Sequence, residues 1–365
     1  MDDGTSPAAP SAEHMLGHGF YSKHAEAQGA ANRFGLPLIE QAIARVDLAR
    51  AGDVVRIADY GAAQGVNSLL PIGTALAALR ARGSTRPVMV THTDLSTNDW
   101  TTLFQTVLSS PESYVAGRPD VFVTASGTSI YRQIFPPAQI AFGYSAIASH
   151  WLSRKPADIA GHIWSARATG AVRDRWAECA REDWYAFLRH RAAELVPSGQ
   201  LVMVNSGADA RGQSGAEPLV DVANGVLRDL AAEGVLGEDE YRRMAIPTYY
   251  RVEREWREPF DDPAFVRAHP LELVHYEESA LRDAQVERYE ETRDAAAFAR
   301  SDAAFFRAAF EPALFAALRD DRDEADRARL SGAFAARLEA ALARDPASHG
   351  ARWVLQLMWI ARAGG

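Results

Sequence analysis

The sequence predicts a doubly wound α/β core beneath a mostly helical cap. Short apolar and β-branched runs alternate with helix-periodic segments between residues 54 and 205, one of those runs stops at a glycine turn, and the pattern after Pro218 becomes almost wholly helical. Strands and helices alternating through short connections imply a mostly parallel sheet covered on both faces.

Taken in order, Leu36, Ile39, Ile43 and Val46 recur at spacings of three and four, which predicts a helix within residues 24–50. Residues 54–59 read as a strand, 67–82 as a Leu- and Ala-rich helix, and "PVMVTHTDL" as a second strand followed by a helix from about Asn98. "DVFVTA" and "QIAFGYSA" supply a third and fourth strand. A long helix over 173–195 ends at "VPSGQLVMVNSG", where Pro-Ser-Gly turns the chain into a fifth strand over 201–205. The expected organisation is a tail over 1–13, an α/β core over 14–210, and a helical cap over 211–365 with one late strand at about 270–277 returning to the core sheet.

Composition narrows the function classes. The 365 residues are 47% hydrophobic and 24% charged, an ordinary globular mixture, and the formal charge of −9 argues against a nucleic-acid surface. The single cysteine, Cys179, excludes an intrachain disulfide and any multi-cysteine metal site, and its helical context marks it as a packing residue. No apolar run approaches the roughly 18 to 20 residues of a membrane span. The first dozen residues lack the basic start and apolar stretch of a signal peptide, so a cytoplasmic protein is expected. The charge run "DDRDEADR" lacks loop-type metal-ligand spacing, and no metal is expected.

The glycine turn, "IADYGAAQGVNS", carries Gly61 and Gly65 but no third glycine, so the dinucleotide fingerprint is absent. Its order is D-x-G-x-x-x-G, with Asp59 two residues before the first glycine. That suits S-adenosylmethionine, whose sulfonium and α-ammonium groups attract a strand-end carboxylate. Asp94 ends the next strand, where a carboxylate can accept hydrogen bonds from both ribose hydroxyls. Asp94 alone argues for adenosine rather than for one cofactor, and a ligand-free structural turn remains the other reading of the glycines.

Further stretches, in order, resemble the SABATH family of salicylate, benzoate and jasmonate carboxyl methyltransferases and caffeine-type N-methyltransferases. "YSKHAEAQ" looks like its Y-x-x-N-S-x-x-Q element, and "IADYGAAQGVNS" resembles I-A-D-L-G-C-S-S-G-P-N-T. "HTDLSTNDWTTLF" is similar to N-D-L-x-x-N-D-F-N-x-L-F, and "GTSIYRQIFP" to G-S-F-Y-x-R-L-F-P. "SHWLSRKP" matches W-L-S-x-x-P, and "DWYAFLRHRAAELVPSGQ" resembles D-F-x-x-F-L-x-x-R-x-x-E-L-V-P-G-G. The resemblance implies a doubly wound Rossmann-like methyltransferase core with S-adenosyl-L-methionine as cofactor, and homodimerisation, for which the sequence itself carries no interface signature. By motif position it puts Tyr21, Asp59, Gly61, Asn67, Asp94, Leu95, Ser129 and Ile130 at the cofactor. It puts Gln28 and Trp151 on the two positions whose N–H donors hold a substrate carboxylate.

That pair makes chemical sense. A carboxylic acid with a solution pKa of ~4 is already ionised at neutral pH and needs no general base. What remains for the enzyme is to align one oxygen behind the methyl and to exclude water. Read from the residues alone, Gln28 would be an exposed helix residue and Trp151 core.

Departures from the family pattern bear on specificity. His24 and Ala25 stand at the Asn-Ser pair, and Ala62 at the cysteine of the glycine turn. Ile147 takes an aromatic position, and His150 reads equally as an acceptor contact or a structural histidine. Leu219 and Val220 align with a bulky cap pair, which predicts a roomier acceptor pocket. Tyr249 and Phe260 are expected to line it. The reading is therefore an O-methyltransferase that esterifies a small carboxylic acid. Its rivals are an N-methyltransferase of a heterocycle on the same fold and a catalytically silent binding protein.

Overall fold

The computed structural model describes residues 26–349 and 352–364. Tyr21, His24, Ala25 and the expected tail over 1–13 lie outside the described residues. The core runs α1 (Glu26–Arg45), β1 (Val55–Tyr60), α2 (Leu69–Ala81), β2 (Val88–Asp94), α3 (Trp100–Ser109), β3 (Val121–Gly127), β4 (Ile140–Ala146), α4 (Gly170–Glu194) and β5 (Leu195–Ser206). The cap follows with α5 (Glu217–Ala232), α6 (Glu238–Arg243), α7 (Glu253–Asp261) and α8 (Pro263–Ala268). After β6 (Leu271–Arg282) come α9 (Ala284–Thr292), α10 (Ala295–Phe315), α11 (Glu324–Leu342), α12 (Pro346–His349) and finally β7 (Arg352–Arg362).

Among the described residues the strands form one sheet in the order β3-β2-β1-β4-β5-β7-β6. The first five are parallel, and β7 pairs antiparallel with both β5 and β6. Alternate residues of β1 serve opposite faces. Val55 and Ile57 pack under α1 and α2, with Ile43, Ile72 and Leu76. Ala58 and Tyr60 face α4, with Trp184 and Phe187. This is the doubly wound arrangement expected. Chain order reverses between β1 and β4, so a crevice opens beyond their carboxyl ends, the usual ligand position in such sheets.

One strand goes beyond the expectation. The C-terminal region contributes two strands to the sheet rather than one, β7 inserting between β5 and β6. Residues Leu355 to Ile360 are all buried, so "LQLMWI" shows no two-residue alternation. Such a run is indistinguishable from a buried helix by period alone. Beyond the sheet, α5, α10 and α11 enclose a separate apolar core in which Leu227, Phe306, Phe334 and Leu338 are fully buried. Phe306 and Phe334 meet edge-on at 6.0 Å between ring centroids, a geometry favoured by the ring quadrupoles.

Candidate active site

The glycine turn is where the strand meets the crevice. Gly61 adopts φ +87°, and a Cβ there would fall 2.4 Å from the Cβ of Ala148, so only glycine allows the β1 turn and the segment after β4 to approach so closely. The turn is pinned to the end of β2: Gly61 N and Ala62 N both donate to Thr93 O, at 2.9 and 3.0 Å. Ala63, itself at φ +46°, donates its N–H to Asp94 Oδ2 at 2.8 Å and accepts from Asn98 Nδ2 at 2.7 Å.

A cavity of about 200 Å³ lies above this turn. The β1 end and its turn contribute Asp59, Gly61 and Asn67, and the β2 end contributes Asp94 and Leu95. Ser129 and Ile130 enter from the segment after β3, Ile147 and Trp151 from the segment after β4. Every cofactor position expected within the described residues therefore meets in one place. Gln28 sits in the first turn of α1, its side chain outside the described residues. A Cβ on its neighbour Gly29 would lie 3.3 Å from Asn67 Oδ1, so that turn borders the same region.

The two carboxylates differ in surroundings. Asp59 is buried and accepts from Ser68 Oγ at 2.5 Å and pairs with His92 Nδ1 at 2.7 Å, both through Oδ2. Asp94 is held by the N–H groups of Ala63 and Leu95, each at 2.8 Å, which fix its plane and leave lone pairs for a ligand. Desolvation outweighs those two backbone bonds and raises its pKa to about 6. A pair of hydroxyls at Asp94 and a cationic group at Asp59 would be well matched. The pinned turn, the glycine-only approach and the two placed carboxylates fit an adenosine-bearing sulfonium compound.

A second cavity of about 40 Å³ shares Ile147 with the first and is walled by His150, Tyr250, Phe310 and Trp353. Ile147 has φ +49°, uncommon for a β-branched residue, and is held by its N–H to Val204 O at 2.7 Å. His150 is 4% exposed, and its Nδ1 finds no partner among the described residues. Burial first, and then the Arg251 guanidinium, lower its pKa to about 3, so the ring is neutral. The rings of Trp151 and Phe310 approach to 5.9 Å across the boundary.

Other expected acceptor contacts lie elsewhere. Leu219 and Val220, each 2% exposed, point into the cap core and line neither cavity, because the apolar face of α5 is turned toward α10 and α11. The roomier pocket inferred from their size loses its basis. Tyr249 donates its hydroxyl to Glu255 Oε1 at 2.8 Å and packs near Trp176. Phe260 stacks edge-on toward Trp184 on the α4 face of the sheet. Cys179 is buried, its thiol raised to about 11 mainly by burial, as suits a packing residue. Asn32 and Tyr144, not singled out from sequence, line the first cavity and are joined by Tyr144 Oη to Asn32 Oδ1 at 2.9 Å, while Asn32 Nδ2 donates to Asn67 O at 2.8 Å. The signal for Asn32 was its position four residues after Gln28, one helical turn on. Among the described residues no cluster of three metal-ligating side chains occurs, and no helix is long and apolar enough to cross a membrane.

Comparison with known proteins agrees with this geometry. A family model described as SAM dependent carboxyl methyltransferase matches residues 13–343. Methyltransferase LUC1 of Fusarium sp is 30% identical over 244 residues, covering 65% of this chain and 64% of that protein. Gibberellic acid methyltransferase 1 of Arabidopsis thaliana is 28% identical over 260 residues, covering 62% of this chain and 67% of that protein. The matched stretch thus spans just under two thirds of the first relative's length and about two thirds of the second's. A solved structure, loganic acid methyltransferase with SAH, superposes with a TM-score of 0.76 at 18% identity, over 96% of this chain and 99% of that one, and so shares the fold.

Proposed function

The chain belongs to the SAM-dependent carboxyl methyltransferase family, and on that premise we propose that it esterifies a small, largely apolar carboxylic acid. The observation that carries the reading is the convergence of Asp59, Asp94, Ser129, Ile130 and Trp151 on one cavity at the reversal of strand order. Bound S-adenosylmethionine supplies the methyl, which passes to a carboxylate oxygen as the sulfonium carbon–sulfur bond breaks, leaving the methyl ester and S-adenosylhomocysteine.

The chain's residues orient and exclude. Asp94 accepts from the ribose hydroxyls. Asp59 faces the cationic end of the cofactor, where attraction is strengthened because the carboxylate is buried. Trp151 and Gln28 donate to the acceptor carboxylate, neither adding a full charge that would quench the nucleophile. Tyr250, Phe310 and Trp353 give the acceptor body an apolar, aromatic surround. Neutral His150 offers a ring nitrogen to a polar substituent on it. Cytoplasmic residence and a homodimer belong to the same proposal, the latter tested by sedimentation.

A labelled-methyl screen over aromatic, indolic, fatty and terpenoid acids tests the reaction. Base-labile methyl esters with at least one class are expected. If no acid is esterified and calorimetry shows no heat with S-adenosylhomocysteine, the proposal fails.

A further inference from the structure

On β2 the residues Val88, Val90 and His92 follow one another on the same face of the sheet. The two valines join the apolar core under α2 and α3, beside Leu103, Val107 and Tyr114. Packing alone calls for a third aliphatic residue at position 92. The chain instead places an imidazole there, fully buried, where a polar ring costs free energy unless both nitrogens are satisfied. Both are. Parallel register sets His92 directly beside Asp59 of β1, and Nδ1 lies 2.7 Å from Asp59 Oδ2. On the other side Nε2 lies 2.7 Å from the hydroxyl of Tyr114, itself 2% exposed.

The chemistry of the partners orders this chain. A carboxylate only accepts, so Nδ1 carries the proton and donates to Asp59, while Nε2 shares a hydrogen bond with the Tyr114 hydroxyl, which can either donate or accept. Oδ2 is thereby occupied by His92 and by Ser68 Oγ at 2.5 Å, which leaves Oδ1 as the oxygen with free capacity on the carboxylate that lines the cavity.

We infer that His92, backed by Tyr114, is a positioning residue for cofactor binding: it locks the rotamer of Asp59 so that the free oxygen addresses the cationic end of S-adenosylmethionine. The inference rests on the assignment of Asp59 to the cofactor. A hydrogen bond to a charged group contributes about 1.5–3 kcal/mol, which corresponds to roughly tenfold or more in affinity when it holds a ligand-contacting carboxylate in place.

Calorimetric titration of the full chain with S-adenosylhomocysteine reads the effect, with thermal unfolding as the folding control. His92→Leu keeps the packing volume and is expected to weaken binding roughly tenfold and to raise KM for the methyl donor. Under saturating donor it should leave kcat and the acceptor KM unchanged. His92→Asn retains an N–H where Nδ1 stood and is expected to recover most of the affinity. Tyr114→Phe should weaken binding by about threefold. If His92→Leu binds as the parent does while Asp59→Asn is weakened, or if Asn is no better than Leu, position 92 serves packing only and the inference is overturned. Should Asp59→Asn itself bind normally, the assignment of Asp59 falls separately. Were His92→Leu to unfold, the contrast between His92→Asn, Tyr114→Phe and the parent decides the question alone.

Discussion

Arg191 and Glu194, one turn apart on α4 and both wholly inaccessible to solvent, pair at 2.7 Å beneath the segment that delivers Ser129 and Ile130 to the cavity. Arg191 donates to the carbonyls of Ile130 and Arg132 at 2.8 and 2.9 Å. Glu194 accepts from Ile134 N at 2.5 Å, Phe135 N at 3.2 Å and the Tyr60 hydroxyl at 3.0 Å. Two side chains thus fasten the loop after β3 to the end of β1, which gives a physical role to the F-L-x-x-R-x-x-E pattern.

Breaking that pair strands a charge. Glu194→Gln keeps the shape but leaves the Arg191 guanidinium buried without a counter-charge, and losing one partner of such a pair costs about 3–5 kcal/mol. Urea denaturation should show that loss, and S-adenosylhomocysteine affinity should fall because the Ile130 loop is freed. A loss below about 1 kcal/mol with unchanged affinity would refute the role.

Asp94 gives a pH dependence whose sign follows from its raised pKa of about 6. Its folded value lies above the ordinary aspartate value of 3.8, so between those two pH values the folded chain holds a proton that the unfolded chain has released. This group's contribution to stability therefore declines as pH rises from about 4 to about 6 and is constant beyond. Ligand binding should run the other way if Asp94 holds the ribose as proposed, because two hydroxyl donors need an ionised acceptor. S-adenosylhomocysteine should bind up to about tenfold more weakly per pH unit below 6 and reach a plateau above 7. Asp94→Asn should flatten the profile. A persistent slope in that variant would assign it to another group.

What sequence could and could not reveal divides along the reach of the interactions. Asp59, Gly61 and Asp94 were legible because strand, turn and carboxylate are contiguous in the chain. Trp151 was legible from its W-L-S-x-x-P context. His92 was not, since its meaning lies in cross-strand register with a residue 33 positions away. The strand β7 escaped because burial on both faces erases the two-residue period. Leu219 and Val220 were misplaced because a motif position fixes a residue along α5 but not which way that helix is rotated, and here its apolar face belongs to the cap core.

Ile147 combines an unfavourable backbone with a boundary position. A left-handed conformation costs a β-branched residue about 1–2 kcal/mol, which Ile147→Gly would relieve while removing the side chain between the two cavities. Relief and lost packing oppose each other, so the net stability change by chemical denaturation should stay within about 1 kcal/mol. The acceptor range should widen toward bulkier acids in a competition assay. An unaltered acceptor profile would show that Ile147 does not partition the site.

Trp151 carries the most direct prediction for the chemistry. Its backbone is fixed by a bridge to Thr248 and by its N–H to Ala148 O at 3.1 Å, and its ring is braced against Phe310. Trp151→Phe keeps an aromatic brace, though a smaller one, and deletes the indole N–H. If that donor holds the acceptor carboxylate, kcat/KM should fall about 10- to 100-fold, the equivalent of one hydrogen bond to a charged group. S-adenosylhomocysteine affinity should change little, because the proposed assignment gives the cofactor's polar groups to Asp59 and Asp94. Steady-state kinetics with calorimetry separates the two. A variant that loses cofactor affinity and acceptor turnover together would show that Trp151, which lines the same cavity as Asp59 and Asp94, acts mainly on the donor, and the acceptor carboxylate would then have to be held by other donors.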